Sequence, residues 1–316
     1  RFDGQPFTSL TPDERLMNVV QSIEEDAEGV LWVGTQAGIS RFDERRLLAF
    51  TSRDGLADSV QCLEGDADGA VWFGTDDGVD RYFEGAFRRF TSREGLVSHR
   101  IFALLDTPEG LLCGTASGAC RFDGERFVVD ERITGNYIFC LFRDSDGALW
   151  AGTTAGATRY DGSGALTLTT EQGLGDDNVE AVGQDAEGLL WIGTRNGLSS
   201  FDGTSVRTFT TADGLPHNRV LAIEADGDGR LWIGTEGGVA RWDGGAFVSY
   251  TTADGLGHIN AQAMACSTDG LLWVGGLGGV VSCFDGTAWA TLDSRDGLRG
   301  GDIRSIVEGA DGTVWF

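Results

Sequence analysis

A unit of about 40 residues recurs along the whole chain, and it is written most fully in Asp226 to Gly244, DGDGRLWIGTEGGVARWDG. An acidic turn ending in Gly229 leads into an apolar run centred on Trp232. Gly234 and Thr235 close that run, and a second apolar run ends in Arg241-Trp242-Asp243-Gly244. Short β-type runs joined by Gly-containing turns predict hairpin strands, and a fixed period predicts a repeat architecture. The Trp column passes through Trp32, Trp72, Leu112, Trp150, Trp191, Trp232, Trp273 and Trp315, at spacings of 40, 40, 38, 41, 41, 41 and 42. The aromatic of the second run recurs as Phe2, Phe42, Tyr82, Phe122, Tyr160, Phe201, Trp242 and Phe284.

Two more runs complete the unit. The third carries paired apolar residues such as Phe87 with Phe90 and Val206 with Phe209, usually followed by Thr and then Asp-Gly-Leu, as in Asp213-Gly214-Leu215. The fourth pairs Val60 with Leu63, Val179 with Val182 and Val220 with Ile223, around a column of small residues: Ser22, Cys62, Ala103, Cys140, Ala181, Ala222, Ala263 and Ser305. Four short strands per 40 residues predict an all-β fold, a β-propeller, in which radial repetition hides the strand edges. A column of small residues suits crowding at an axis, so the fourth run is read as the innermost strand A, with the Trp run as B, the Arg-Phe-Asp-Gly run as C and the third run as outermost strand D. Eight copies predict a single domain over residues 1–316 with eight blades, seven being the alternative. The ring is expected to close by pairing Val314 to Phe316 with Arg1 to Asp3 in one blade.

Composition narrows the function. Acidic residues outnumber basic ones 49 to 24, for a net charge of −25, which disfavours nucleic acid and anionic membranes as partners. No apolar run spans a bilayer and no signal peptide is visible. Cys62, Cys113, Cys120, Cys140, Cys266 and Cys283 form no metal-binding spacing, so neither a metal nor a cofactor is expected. Cys113 and Cys120 flank one predicted hairpin turn and face each other in that register, although cross-strand geometry tends to strain a disulfide there. The Asp pairs, such as Asp66 with Asp68 and Asp226 with Asp228, invite a calcium reading, but a strand begins at once after them, which favours turn chemistry. The Trp column is read as packing between neighbouring blades rather than as a row of sugar platforms.

The columns resemble the two-component regulator propeller repeats, whose acidic turn, L-W-x-G-T, Gly turn, G-L-x-R-F/Y and D-G-L-P-x-N are matched most fully in Asp226 to Asp243 and Asp213 to Asn218. The resemblance implies an extracytoplasmic sensor propeller of bacterial hybrid histidine kinases, with glycan fragments as typical signals. Leu112 in place of Trp, Gly276 in place of Thr, and the shortened junction around Thr134, Gly135 and Asn136 depart from the pattern.

If B-to-C turns and D-to-A connections share one face, that face varies from blade to blade while the A-to-B turns stay acidic. The candidate ligand-binding residues there are His99, Arg100, Tyr137, Arg195, His217, Asn218, Arg219, Glu236 and His258. Asn18, Asp58, His99, Asn136, Asp177 and Asn218 hold one register position ahead of strand A, where side chains of this type cap turns. Concave sites with converging polar groups bind small ligands. The sequence therefore predicts a non-enzymatic sensory or scaffold propeller, monomeric, reading a carbohydrate or other small polar ligand near Arg195, His217, Arg219 and Glu236. The alternative is a propeller lyase with a His general base beside an Arg that stabilises an enolate-like intermediate.

Overall fold

The computed structural model describes residues 1–2, 19–26, 28–43, 46–133, 135–162, 164–298 and 301–316. They fall into two compact units, Leu10–Leu141 and Arg1–Ser9 with Phe142–Phe316. In the first unit, blade 1 is β1 (Val20–Glu25), β2 (Leu31–Thr35), β3 (Gly38–Phe42) and β4 (Leu47–Phe50). Blade 2 is β5 (Val60–Gly65), β6 (Val71–Thr75), β7 (Gly78–Phe83) and β8 (Ala86–Phe90), and blade 3 is β9 (Ile101–Leu105), β10 (Leu112–Thr115), β11 (Gly118–Phe122) and β12 (Phe127–Val129). The second unit holds blade 4, β13 (Cys140–Arg143) to β16 (Ala165–Leu168), of which β13 begins at the unit boundary. Blade 5 runs from β17 (Val179–Gln184) to β20 (Val206–Phe209), blade 6 from β21 (Val220–Ala225) to β24 (Phe247–Tyr250), and blade 7 from β25 (Ala263–Cys266) to β28 (Trp289–Leu292). Each is a four-stranded meander of β-propeller type paired in chain order.

Every repeated column has a local cause. Asp226 accepts the amides of Asp228 and Arg230 on Oδ1, at 3.0 and 2.9 Å, and the indole Nε1 of Trp232 on Oδ2, at 2.9 Å. Asp26, Asp66 and Asp144 bond in the same way to Trp32, Trp72 and Trp150. The acidic turns are therefore turn chemistry, with both carboxylate oxygens of the leading Asp in use. The buried Trp then packs on the next blade: Trp32 on Tyr82 with ring centroids 4.7 Å apart, Trp72 on Phe122 at 4.9 Å, and Trp191 on Trp242 at 5.4 Å. Such pairs stabilise beyond the area they bury, and the sequence reading of this column as inter-blade packing holds. The Arg column lies cross-strand from the Trp column, with the guanidinium of Arg81 4.9 Å from the Trp72 ring and those of Arg41 and Arg241 each 5.7 Å from theirs.

The Gly of the Trp-x-Gly-Thr run is required by close approach. A Cβ on Gly193 would lie 2.5 Å from Val220 Cγ1, and one on Gly74 would lie 2.5 Å from Cys62 Sγ and 2.7 Å from Ile101 Cγ2. The first strands of successive blades thus sit against one another, β1 on β5 and β5 on β9 in the first unit, β17 on β21 in the second. The Thr that follows closes the turn: Thr235 Oγ1 donates to Gly238 O at 2.8 Å and accepts the Gly237 amide at 3.1 Å. The Asp-Gly-Leu signal becomes a 3₁₀ turn. Thr210 caps Thr211–Asp213, Asp213 returns a bond to the Thr210 amide, Gly214 takes φ 106°, and Leu215 is buried.

One expectation is corrected. Among the described residues there are seven four-stranded blades, not eight. The eighth set of runs yields only a two-stranded sheet, β29 (Val307–Glu308) with β30 (Val314–Trp315), and Phe2 adds an isolated bridge to Val314. Its two hydrogen bonds measure 2.8 and 2.9 Å. A blade needs four runs in one ladder, and the described residues here supply two short strands and one bridged residue. That bridge is what they hold of the pairing expected between Arg1 to Asp3 and Val314 to Phe316, and Asp3 lies outside them. Cys113 and Cys120 are direct cross-strand partners, as expected, and both are free, buried thiols.

Candidate functional site

The two kinds of connection do share one end of the blades. In blades 1, 2, 3, 5 and 6 the first residue of the B-to-C turn donates its amide to the carbonyl of the residue before strand A, as Glu236 does to Arg219 at 3.2 Å, Arg195 to Asn178 at 3.3 Å, and Ala116 to Arg100 at 3.1 Å. The candidate residues therefore lie at blade ends of one kind, but in two separate groups. Arg195, His217, Asn218, Arg219, Glu236 and His258 belong to the unit that contains residues 142–316. His99, Arg100 and Tyr137 belong to the unit of residues 10–141.

In the first group, two candidates converge on Glu180, which is not among the candidates, and a third joins them through Arg219. Glu180 accepts Arg219 Nε at 2.9 Å and Nη2 at 2.9 Å, and also Arg195 Nε at 3.0 Å. Arg219 Nη1 reaches Glu236 Oε1 at 2.7 Å. Two guanidinium groups and two carboxylates thus form a closed, charge-balanced cluster, and the Glu180 hydrogen bond above all holds the Arg219 guanidinium above its ordinary pKa. The other candidates serve the backbone. His217 Nδ1 accepts the Arg219 amide and His258 Nδ1 accepts the Asn260 amide, each at 3.0 Å. Asn218 Oδ1 accepts the Thr211 amide at 2.9 Å, and Asp177, one blade earlier, accepts that of Thr170 at 2.7 Å. Capping is what these last two residues do, as their register position predicted. Asn18 of that register lies outside the described residues.

In the second group, His99 Nδ1 lies 3.8 Å from Asp77 Oδ1, with both side chains more than half exposed. The carbonyl of His99 accepts the Gly78 amide at 2.8 Å. Arg100 and Tyr137 both approach the ring of Phe102, Arg100 with its Cζ 5.3 Å from the centroid and Tyr137 with its ring 6.1 Å away. Arg100 Nε stands 3.6 Å from Asp76 Oδ1.

Glu180 and Phe102 share a column that had a readable signal. Each stands between the first apolar residue of strand A and the small residue, the position held elsewhere by Gln21, Gln61, Phe139, Leu221, Gln262 and Arg304. The ladder register skips this residue in blades 1, 2, 3, 5 and 6, so it is a β-bulge. A bulge leaves its residue unpaired and re-aims the side chain. Among the described residues no group of three or more His, Cys, Asp or Glu is arranged to hold a metal ion, and no helix is long and apolar enough to cross a membrane.

Comparison with known proteins places this geometry. The family model described as two component regulator propeller matches residues 16–37, 132–155, 173–196 and 214–237. No curated protein is similar enough in sequence to be matched. Among solved structures, a catalytically inactive virginiamycin B lyase from Staphylococcus aureus is 17% identical, with 85% of this chain and 94% of that one covered and a TM-score of 0.62, a likeness of fold. The extracellular domain of what is described as a hybrid two component system from B. thetaiotaomicron is 17% identical, with 93% of this chain covered and a TM-score of 0.45. The extracellular domain of a described one component system from the same organism is 16% identical, with 98% covered and the same TM-score. This chain spans 54% and 59% of the lengths of those two domains. Four segments of the chain thus match the two component regulator propeller repeat, and the columns they carry recur in the remaining blades.

Proposed function

We propose that the chain is a non-enzymatic recognition module of an extracytoplasmic sensor, reading a neutral or weakly acidic polar ligand such as a carbohydrate fragment at the connection end of its blades. The observation that carries this reading is a contrast between the two blade ends. At one end the same Asp makes the same three bonds in blade after blade. At the other end an ion-pair cluster, an exposed His-Asp pair and an aromatic group occupy equivalent positions. Variation at one end of a fixed scaffold is what selective recognition needs. The extracytoplasmic position rests on the family resemblance alone. Action as a monomer is part of the same proposal, as is the absence of nucleic acid and membrane contacts, which the charge of −25 favours.

The lyase alternative finds less support. Arg219, the cation adjacent to His217, commits three of its donors to Glu180 and Glu236 and is not open to a developing enolate. Likeness to virginiamycin B lyase at 17% identity speaks for fold only. Calorimetric titration against a panel of oligosaccharides and small polar metabolites, with product analysis of each mixture, tests the proposal. Saturable binding without turnover supports it, and turnover of any compound in the panel overturns it.

A further inference from the structure

The third-to-fourth connection departs most from the repeat. Among the described residues six other connections contain a capped 3₁₀ turn, and those of 130–139 contain none. Tyr137 takes φ +53° there. A left-handed backbone is costly for a bulky residue and marks functional positions more often than chance would. The residue is 45% exposed. It lies in a stacked arrangement with Phe102, at 6.1 Å and 28°, and 6.3 Å from Phe139, which is itself 5.8 Å from Phe102. Phe102 and Phe139 are partly buried. The backbone fixes the group: Ala116 donates its amide to the Arg100 carbonyl, and the Ala116 carbonyl accepts the Tyr137 amide at 3.3 Å.

We propose that Phe102, Tyr137 and Phe139 form a saccharide platform that takes the C–H face of a pyranose ring, with Arg100 and Asp76 bonding its hydroxyls from the rim. This rests on the recognition reading above and deepens it by assigning the site. Three clustered, solvent-reaching rings are a cost in a soluble protein unless something covers them. The rim is polar and of both kinds. The Arg100 guanidinium donates no hydrogen bond among the described residues and stands near Asp76, whose Oδ2 also accepts from Ser59 at 2.9 Å and Gln61 at 3.3 Å. A purely apolar aromatic ligand could stack on these rings but would leave the donors and acceptors of the rim unmet. The platform instead offers rings backed by one polar rim, which suits a ligand with one C–H face and hydroxyl edges. A nucleobase would bring phosphate toward a chain of charge −25.

The test uses the whole chain, titrated with the same oligosaccharide panel and with methyl pyranosides. Tyr137→Asn removes the ring but suits the left-handed backbone, so its thermal midpoint is expected to hold or rise while saccharide affinity falls at least tenfold. Phe102→Leu is expected to weaken binding similarly, and Arg230→Ala, at an acidic turn of the other unit, to leave it unchanged. If the native chain binds a saccharide and Tyr137→Asn and Phe102→Leu bind it equally well, the platform is overturned while the recognition reading stands. If the native chain binds no saccharide but does bind another polar compound, the platform and the carbohydrate class both fall and recognition alone survives. Loss of all binding with an intact fold overturns both.

Discussion

The Asp six positions before Trp32, Trp72, Trp150, Trp191 and Trp232 decides whether a buried indole is satisfied. In blade 5, Asp185 accepts Trp191 Nε1 at 2.8 Å and the Leu189 amide at 2.8 Å. Removing that carboxylate leaves a buried donor without a partner, so Asp185→Ala should lower the free energy of unfolding by about 1–3 kcal/mol, read as a fall in the urea midpoint. Blade 7 carries the natural counterpart. Ser267 stands where Asp226 stands in blade 6, and Trp273 Nε1 is buried without an acceptor. Ser267→Asp should therefore stabilise the chain, by roughly 1 kcal/mol for one recovered bond, read as a rise in the same midpoint. A neutral or negative change would mean that the loss of the Ser267 bonds to Asp269 and Leu271 outweighs the gain.

At the scale of strands and turns, the blades depend on two devices of different strength. Thr210→Ala removes a cap from one 3₁₀ turn and should cost about 1 kcal/mol. Gly193→Ala drives a methyl group into Val220 of the next blade, and overpacking of this kind costs about 1–3 kcal/mol. Denaturant curves of the two variants should rank Gly193→Ala as the more damaging; the reverse order would show that β17 and β21 yield easily. The same two devices explain what could be read from residues alone. The Trp, Gly, Thr and Asp-Gly-Leu columns were legible because each answers a local or next-blade requirement that recurs at a fixed spacing. The ion-pair cluster was only half legible. Arg219 and Glu236 stand in variable connections, but Glu180 lies 39 residues from Arg219, inside a strand, and its column is exposed only by a bulge that the spacing does not announce. The blade count was misread because it depends on pairing between residues at opposite ends of the sequence, where periodicity says nothing about which ladder forms.

For the molecule as a whole, 49 acidic residues make stability a function of pH, and two sets of carboxylates act in different windows. The Ala246 amide at Asp243, the Thr287 hydroxyl at Asp285 and the Arg295 guanidinium at Asp293 donate the hydrogen bonds that most hold these carboxyls below the ordinary aspartate value. Their contribution is present above that value and is lost as pH falls through their lower folded values. Glu24 and Glu224 behave oppositely. Burial, with the neighbouring Glu64 and Glu25 adding for Glu24, pushes each from 4.5 to about 7. Between those values the folded state holds more protons than the unfolded chain, so stability falls as pH rises through the window. The urea midpoint should therefore peak near pH 5 and decline toward about pH 8. General repulsion within a chain of net charge −25 slopes the same way, but salt screens it, whereas a buried carboxyl is screened much less. Measured in high salt, the decline should persist in the native chain and become shallower in Glu224→Gln, which keeps the shape of the side chain and cannot ionise, with Glu24 carrying the remainder. The acid limb below about pH 4, set by the capping aspartates, should be the same in both. An unchanged decline in Glu224→Gln would move its origin to other carboxylates.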